Sequence, residues 1–320
     1  MQLSSWFANL KSHSHLESFR LPLLNTEALQ LFVKRDDLIH QEISGNKLRK
    51  LQGNLEAAQK AGVKQILTFG GAYSNHLLAS AAAANALGFQ IIGRVRGEEL
   101  NAQSNTLLKH CAQLGMQLEF ISRSSYQAQK HQSGLLHIQD QATWVIPEGG
   151  ANPEGLLGCA EIYQEAVAQN NNQHFDLVCL AQGTTTTSLG ILTALPPSTK
   201  LIVIPVLKGF DSISEMQTLA HAAQQNPHTA HLQFPLQQVQ VLNDFHHGGY
   251  AKTTPELLNF TEQFNATNQF TIEPVYTAKA LLGLQTFLTE TTKKFKTNPE
   301  PKRILFVHTG GIVQNSSKIV

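Results

Sequence analysis

Ser44-Gly45-Asn46-Lys47-Leu48-Arg49-Lys50 stands between two unlike patterns. Before it, Leu31-Phe32-Val33 is a β-rich run that ends in charge, Lys34-Arg35-Asp36-Asp37. After it, Leu48, Leu51, Leu55 and Ala58 fall at i, i+3, i+7 and i+10, one face of a helix. Gly45 lets the chain turn, and Ser44 or Asn46 can cap the helix that follows. Lys47 therefore stands at a helix N-terminus, where the macrodipole disfavours a cation. A lysine so placed titrates lower and is easier to use as a neutral amine nucleophile. The alternative is a solvated basic edge of Lys47, Arg49 and Lys50, since lysines are mostly exposed.

The neighbours of Lys47 extend the pattern. Lys34-Arg35-Asp36-Asp37, then Ser-Gly-Asn-Lys-x-Arg-Lys-Leu, resembles the cofactor-lysine segment of one family. This is the 1-aminocyclopropane-1-carboxylate deaminase and D-cysteine desulfhydrase family of pyridoxal-phosphate enzymes. Similar segments recur in the family's order: Gly70-Gly71-Ala72-Tyr73-Ser74-Asn75-His76, Glu273-Pro274-Val275-Tyr276-Thr277 and His308-Thr309-Gly310-Gly311. Together they span nearly the whole chain, although residues 1–30 match poorly. The resemblance implies the tryptophan-synthase-β-like fold, fold type II of the pyridoxal-phosphate enzymes. That is an α/β architecture of two three-layer lobes with mainly parallel sheets. It also implies a large cofactor-binding domain at residues 1–49 and 158–320 and a small domain at residues 50–157.

Composition narrows the partners. A chain of 320 residues is longer than one core usually holds, so two lobes are expected. Net charge is +1 and no basic stripe is present, which argues against nucleic acid. Only 15% of residues are charged, a level at which a homodimer that hides surface is expected. Cys111, Cys159 and Cys179 show neither metal spacing nor a disulfide framework and read as buried thiols. No apolar run approaches the roughly 20 residues of a membrane span, and residues 1–20 lack an apolar signal core. The expected location is cytosolic.

Strand and helix patterns alternate along the chain. Strand candidates lie at 31–35, 65–69, 89–92, 116–122, 143–146, 176–180, 201–206, 239–242 and 303–307. Helices are expected at 46–60, 75–87 (closed by Gly88), 104–114, 154–168, 185–195, 211–224, 255–264 and 277–289. Residues 1–30 read as a lead-in with one short helix, and residues 123–142 as polar with another. Gly310-Gly311 is expected to open a final one. Such alternation implies parallel sheets covered by helices, with ligands bound at the carboxyl ends of the strands.

Several segments could carry chemistry. Asp176–Leu180 leads into Ala181-Gln182-Gly183-Thr184-Thr185-Thr186-Thr187-Ser188-Leu189-Gly190. This reads as strand, loop and helix start, either a phosphate site or a hydroxyl-rich cap. It matches neither a P-loop nor a dinucleotide fingerprint. Ser74-Asn75-His76 lies at a strand-turn-helix junction and is at minimum an N-cap; no Gly-x-Ser-x-Gly elbow surrounds Ser74. His246-His247 has no third ligand at useful spacing and reads as a polar turn. Pro147–Asn152 either lines the site or is a simple turn.

The resemblance assigns roles to these positions. It implies that Lys47 holds pyridoxal 5'-phosphate as a Schiff base and later carries the proton. Asn75 bonds the ring hydroxyl, Ser74 meets the substrate carboxylate, and Thr184, Thr185, Thr186 and Thr187 bind the phosphate. Tyr276 matches an active-site tyrosine, and Tyr250 matches a second. Ring-opening deaminases carry a glutamate after that tyrosine, beside the pyridine nitrogen; here it is Thr277, with Thr309 as a second hydroxyl candidate. A hydroxyl cannot hold the pyridinium proton as a carboxylate can, so the electron sink is weaker. The expected reaction is α,β-elimination from D-cysteine or a similar small amino acid, giving pyruvate, ammonia and sulfide. The alternatives are a cyclopropane-ring-opening deaminase and a non-catalytic cofactor-binding protein.

Overall fold

Helices and strands alternate through the computed structural model, which describes residues 2–22, 24, 29–138, 141–294 and 302–310. In chain order the first half holds α1 (Leu3–Lys11), β1 (Leu16–Ser18), β2 (Leu29–Lys34), α2 (Asn46–Lys60), β3 (Gln65–Gly70), α3 (Asn75–Leu87), β4 (Gln90–Arg96), α4 (Thr106–Gln113), β5 (Met116–Ile121), α5 (Arg123–Gln129), β6 (Gly134–Ile138) and β7 (Gln141–Ile146). The second half holds α6 (Glu154–Gln169), β8 (Leu177–Gln182), α7 (Thr186–Leu192), β9 (Lys200–Pro205), α8 (Ser212–Gln225), β10 (Val239–Val241), α9 (Pro255–Thr267), α10 (Thr277–Lys294) and β11 (Lys302–Val307). The helix expected from Gly310-Gly311 lies outside the described residues.

Two sheets result. One has six strands in the order β1-β2-β11-β8-β9-β10, the other five in the order β5-β4-β3-β7-β6. Every pair is parallel except β1 with β2 and β6 with β7, at one edge of each sheet. Side chains alternate across the six-stranded sheet as the strand period demands. Cys179, Ile202, Ile204 and Phe306 join α9 and α10 through Leu257, Phe260 and Leu281. Val178, Leu201, Val203 and Leu305 join α6, α7 and α8 through Ile162, Leu189 and Met216. Burial on both faces is why these strands read as continuous apolar runs.

The five-stranded sheet is built the same way. Ile66, Ile91 and Trp144 pack with Phe7 of α1, Leu51 of α2, Ala81 of α3 and Leu108 of α4. Leu67, Phe69, Ile92 and Val145 pack with Tyr126 of α5 on the other face. The short lead-in helix is α1, whose Leu3, Phe7 and Leu10 recur at helical spacing and are buried. β6 was not expected within residues 123–142. It is an edge strand of five residues with only half-buried or exposed side chains, too weak a pattern to stand out.

α2 departs from the basic-edge alternative. Arg49 and Lys50 are buried, together with Leu48, Leu51, Leu55 and Ala58. α2 lies close against α6: a Cβ on Gly158 would stand 2.2 Å from the Arg49 carbonyl oxygen. Arg49 donates from Nε and Nη2 to Asp36 and from Nη1 and Nη2 to Glu165. Burial of the charge is thus accompanied by full pairing, the condition under which it is tolerated.

Candidate active site

A cavity of about 970 Å³ opens where the carboxyl ends of strands from both sheets face one another. Lys47 follows β2, Ser74 follows β3, Arg96 ends β4, Glu148 follows β7, Thr184 follows β8, and Thr309 follows β11; all six line it. This is the edge at which parallel α/β sheets bind ligands.

Lys47 sits one residue into α2 because Gly45 closes the loop before it. Gly45 has φ 62, and a Cβ there would meet the Thr309 carbonyl oxygen at 1.9 Å, so only glycine fits. The Asn46 backbone N–H donates to that same oxygen at 3.2 Å, tying the start of α2 to the loop after β11. Lys47 Nζ donates to Asn46 Oδ1 at 2.7 Å. Burial, and secondarily the Lys50 cation, lower the Lys47 pKa to about 7. Lys50 Nζ donates to the Gly149 carbonyl at 3.1 Å and to Thr184 Oγ1 at 2.9 Å, and burial lowers its pKa to about 8. Neither ammonium has a carboxylate partner among the described residues, which leaves two cations in the cavity wall.

Ser74 caps α3, accepting the Leu77 N–H weakly at 3.4 Å, and Asn75 is the first helical residue. His76 is buried behind them. Thr68 Oγ1 donates to the Ile146 carbonyl and so accepts from His76 Nε2, at 2.8 Å. That bond fixes the proton on Nε2. Burial and the nearby Lys47 and Lys50 cations lower the His76 pKa to about 3, leaving a neutral ring whose buried Nδ1 has no partner.

Tyr276 is presented by the start of α10. Glu273 Oε1 accepts the N–H groups of Tyr276 and Thr277, each at 2.9 Å, and Oε2 accepts that of Val275 at 2.6 Å. The tyrosine ring lies against Gly183, where a Cβ would stand 3.1 Å from Cε1. It meets the Tyr250 ring edge-on at 5.9 Å. Burial and Tyr250 raise the Tyr276 pKa, so its hydroxyl stays protonated. His308 pins the loop that carries Thr309: its Nδ1 accepts from the Gly310 N–H at 3.3 Å, so its Nε2 donates to the Thr271 carbonyl.

The sequence-derived candidates therefore divide. Lys47, Ser74, Asn75, Thr184, Tyr276 and Thr309 line one cavity, with Tyr250. Thr185, Thr186 and Thr187 lie behind it, buried in the cap and first turn of α7. Thr187 Oγ1 accepts from Asn46 Nδ2 at 3.0 Å, while Thr186 Oγ1 is buried without a partner. The reading of Thr277 as a ring-nitrogen partner is corrected. Its buried hydroxyl accepts from the Glu273 N–H at 2.9 Å and donates back to Glu273, and it does not line the cavity. Glu273 thus serves as the acceptor for the first N–H groups of α10, and Thr277 is bound into that local pairing. Lys50 and His76 were missed as site residues. His246 and His247 are held within their turn, His247 by Thr254 and His246 by the Gly248 N–H.

Residues 16–310 match the family model described as "Pyridoxal-phosphate dependent enzyme". The chain belongs to this family. A putative 1-aminocyclopropane-1-carboxylate deaminase of Pyrococcus furiosus is 31% identical over 88% of this chain and 84% of its own length. A D-cysteine desulfhydrase of Klebsiella pneumoniae is 29% identical over 88% of this chain and 87% of its own length. A crystal structure described as an ACC deaminase homologue superposes with a TM-score of 0.72 at 24% identity, covering 96% of this chain and 95% of that one, a likeness of fold. The cavity's own chemistry fits pyridoxal phosphate. Lys47 is a depressed-pKa amine, and Lys50 is a buried cation bonded to the Thr184 hydroxyl, with no carboxylate partner among the described residues. Among the described residues, no helix is long and apolar enough to cross a membrane.

Proposed function

We propose that this chain catalyses α,β-elimination from a small β-substituted amino acid of the D-cysteine type, releasing pyruvate, ammonia and sulfide with uptake of one water. The observation that carries the reading is the lining near Thr309. Thr184, Tyr276 and Thr309, from the loops after β8 and β11 and the start of α10, bring hydroxyls to the cavity, and these segments add no carboxylate to its lining. The carboxylates of the lining, Glu42, Glu99 and Glu148, come from the loops after β2, β4 and β7. The Thr309 hydroxyl, which has no hydrogen bond among the described residues, can share one with a ring nitrogen but cannot keep a proton on it. Bound pyridoxal phosphate supplies the sink for the electron pair released at the α-carbon.

The chain's own groups do the rest. Lys47 would hold the cofactor and is the group placed to take the α-proton at Nζ; a pKa of about 7 leaves a useful neutral fraction. Lys50 and Thr184 would hold the phosphate, and Asn75 would orient the ring. Ser74 Oγ and the first N–H groups of α3 receive the substrate carboxylate. Tyr276, kept protonated, donates from its hydroxyl to the departing thiolate.

A weak sink favours substrates whose β-bond breaks as soon as the α-proton leaves. Cysteine fits, while a cyclopropane amino acid has no α-hydrogen and a poor leaving group. Sulfide and pyruvate from D-cysteine should therefore form with a kcat/KM well above that for 2-oxobutanoate from 1-aminocyclopropane-1-carboxylate. Each tenfold corresponds to about 1.4 kcal/mol of transition-state stabilisation. Equal or reversed efficiencies would refute the role given to Thr309.

A further inference from the structure

Arg96 ends β4 and lines the same cavity as Lys47 and Ser74. Its guanidinium stacks over the Tyr126 ring, 5.7 Å from the centroid. That ring is buried and braced edge-on by Phe69 at 6.2 Å, so the support is rigid. Arg96 Nη2 also stands 3.5 Å from where a Cβ on Gly71 would lie, at the head of the loop that carries Ser74. Among the described residues the guanidinium makes no hydrogen bond and no ion pair.

The other charges of the lining are matched. Glu99 pairs with Arg123 at 2.7 Å, Glu148 with Lys130 at 3.4 Å, and Glu42 with His110. Lys47 and Lys50 are committed to the cofactor. Among the described residues of the lining, the exposed Arg96 guanidinium is left over, resting against an aromatic plate with its donors free. Guanidinium donors in a fixed fork match the oxygens of a phosphate, sulfonate or carboxylate. The cavity of about 970 Å³ takes in Arg96 together with Lys47 and Ser74, so one ligand space reaches all three.

We propose that Arg96 is a specificity residue that selects amino acids carrying an oxyanion on the β-substituent. The proposal rests on the elimination reading and extends its substrate class. For such a substrate the Cα–H proton passes to Lys47, and the Cβ–O bond breaks with its electron pair leaving on the oxyanion. O-Phosphoserine and one water would thus give pyruvate, ammonium and hydrogen phosphate, with no oxidant or reductant required.

The test uses the holoenzyme and its Arg96→Met and Arg96→Lys variants with both enantiomers of O-phosphoserine and of β-chloroalanine, reading ketoacid release. In the wild type O-phosphoserine should be turned over. The ratio of its kcat/KM to that of β-chloroalanine should fall by about tenfold or more in Arg96→Met, as removal of one charge-assisted hydrogen bond requires, and recover in part in Arg96→Lys. A second readout is binding of 2-amino-3-phosphonopropanoate, which cannot eliminate phosphate, followed by the cofactor's absorption change. It should bind more tightly than alanine in the wild type and lose about tenfold in Arg96→Met. Turnover of β-chloroalanine with none of O-phosphoserine would overturn the proposal while leaving the elimination reading intact. So would equal losses on both substrates, since Arg96 would then be holding the shared α-carboxylate. No ketoacid from either substrate would remove the elimination reading and this proposal with it.

Discussion

The Lys47 amine is enclosed by protein with the Lys50 cation beside it, and both effects pull its pKa from the ordinary 10.5 to about 7. Between about 7 and 10.5 the unfolded chain holds a proton that the folded chain has released. The apoprotein therefore gains stability from this group as pH rises through that window, and the cost of burying it is greatest below about 7. Amine labelling of the apoprotein, followed by peptide mapping, should show Lys47 reacting with a midpoint near 7, well below its ordinary 10.5. Removing the neighbouring cation with Lys50→Met should move the Lys47 midpoint upward. A Lys47 midpoint at the ordinary value would show that burial does not act on this amine. Of the residues singled out in the sequence, Lys47, Ser74, Asn75, Thr184, Tyr276 and Thr309 line the cavity, Lys47 marked by its glycine-led helix start and the others by the family resemblance. The sequence did not carry Lys50, whose burial depends on Gly149 and Thr184, about a hundred residues away or more. Nor did it carry the unpartnered Nδ1 of His76, which is set by Thr68 and the strand behind it.

At the scale of elements, α10 does more than present Tyr276. Lys279, one turn in, is buried and donates from Nζ to the Gly249 carbonyl at 2.7 Å. Gly249 precedes Tyr250, whose ring and hydroxyl meet Tyr276. Lys279 thus fixes the turn that sets one tyrosine against the other. Burial lowers its pKa, and Glu273 partly offsets that. Lys279→Met should reduce kcat/KM by about tenfold, near the lower end expected for one hydrogen bond to a charged group. In a Tyr250→Ala background the same change should have little further effect, a coupling of roughly 1 kcal/mol in a double-mutant cycle on kcat/KM. Fully additive losses would mean that Lys279 acts on the fold and not through Tyr250. Helix bounds were legible where a cap or turn residue stands out in the sequence: Ser74 and Gly88 bracket α3, and α2 opens directly after Gly45, without a side-chain cap from Ser44 or Asn46. The edge strands β1 and β6 were not, because one exposed side removes the apolar run that marks the central strands.

For the whole molecule, α2 is the element on which both sheets meet. Leu48, Leu51, Leu55 and Ala58 belong to the core of the five-stranded sheet. Arg49, on the same helix, reaches Asp36 just beyond β2 of the six-stranded sheet and Glu165 on α6. Lys34 adds a further pair with Glu165 at 3.0 Å, and Ser14 Oγ donates to Asp36 at 2.6 Å. The alternation of helix and strand disclosed the sheets, but not this junction, since Arg49 and Asp36 look like ordinary surface charge until the helices close over them. Burial alone would push the Asp36 carboxyl up; Arg49 and Lys34 more than offset that and hold it below its ordinary 3.8. The group therefore contributes stability above that value and loses it as pH falls through the lower folded pKa. Arg49→Met leaves Asp36 buried and without its main partner, which should cost about 3–5 kcal/mol at neutral pH. In that variant burial acts on Asp36 with less opposition, its pKa rises, and protonation relieves the uncompensated charge. The stability gap from wild type, measured by urea unfolding, should therefore narrow as the solution is acidified toward and below pH 3.8. A gap that stays constant with pH would show that Arg49 stabilises the junction by packing rather than by charge. A gap that widens would place the controlling carboxylate somewhere other than Asp36.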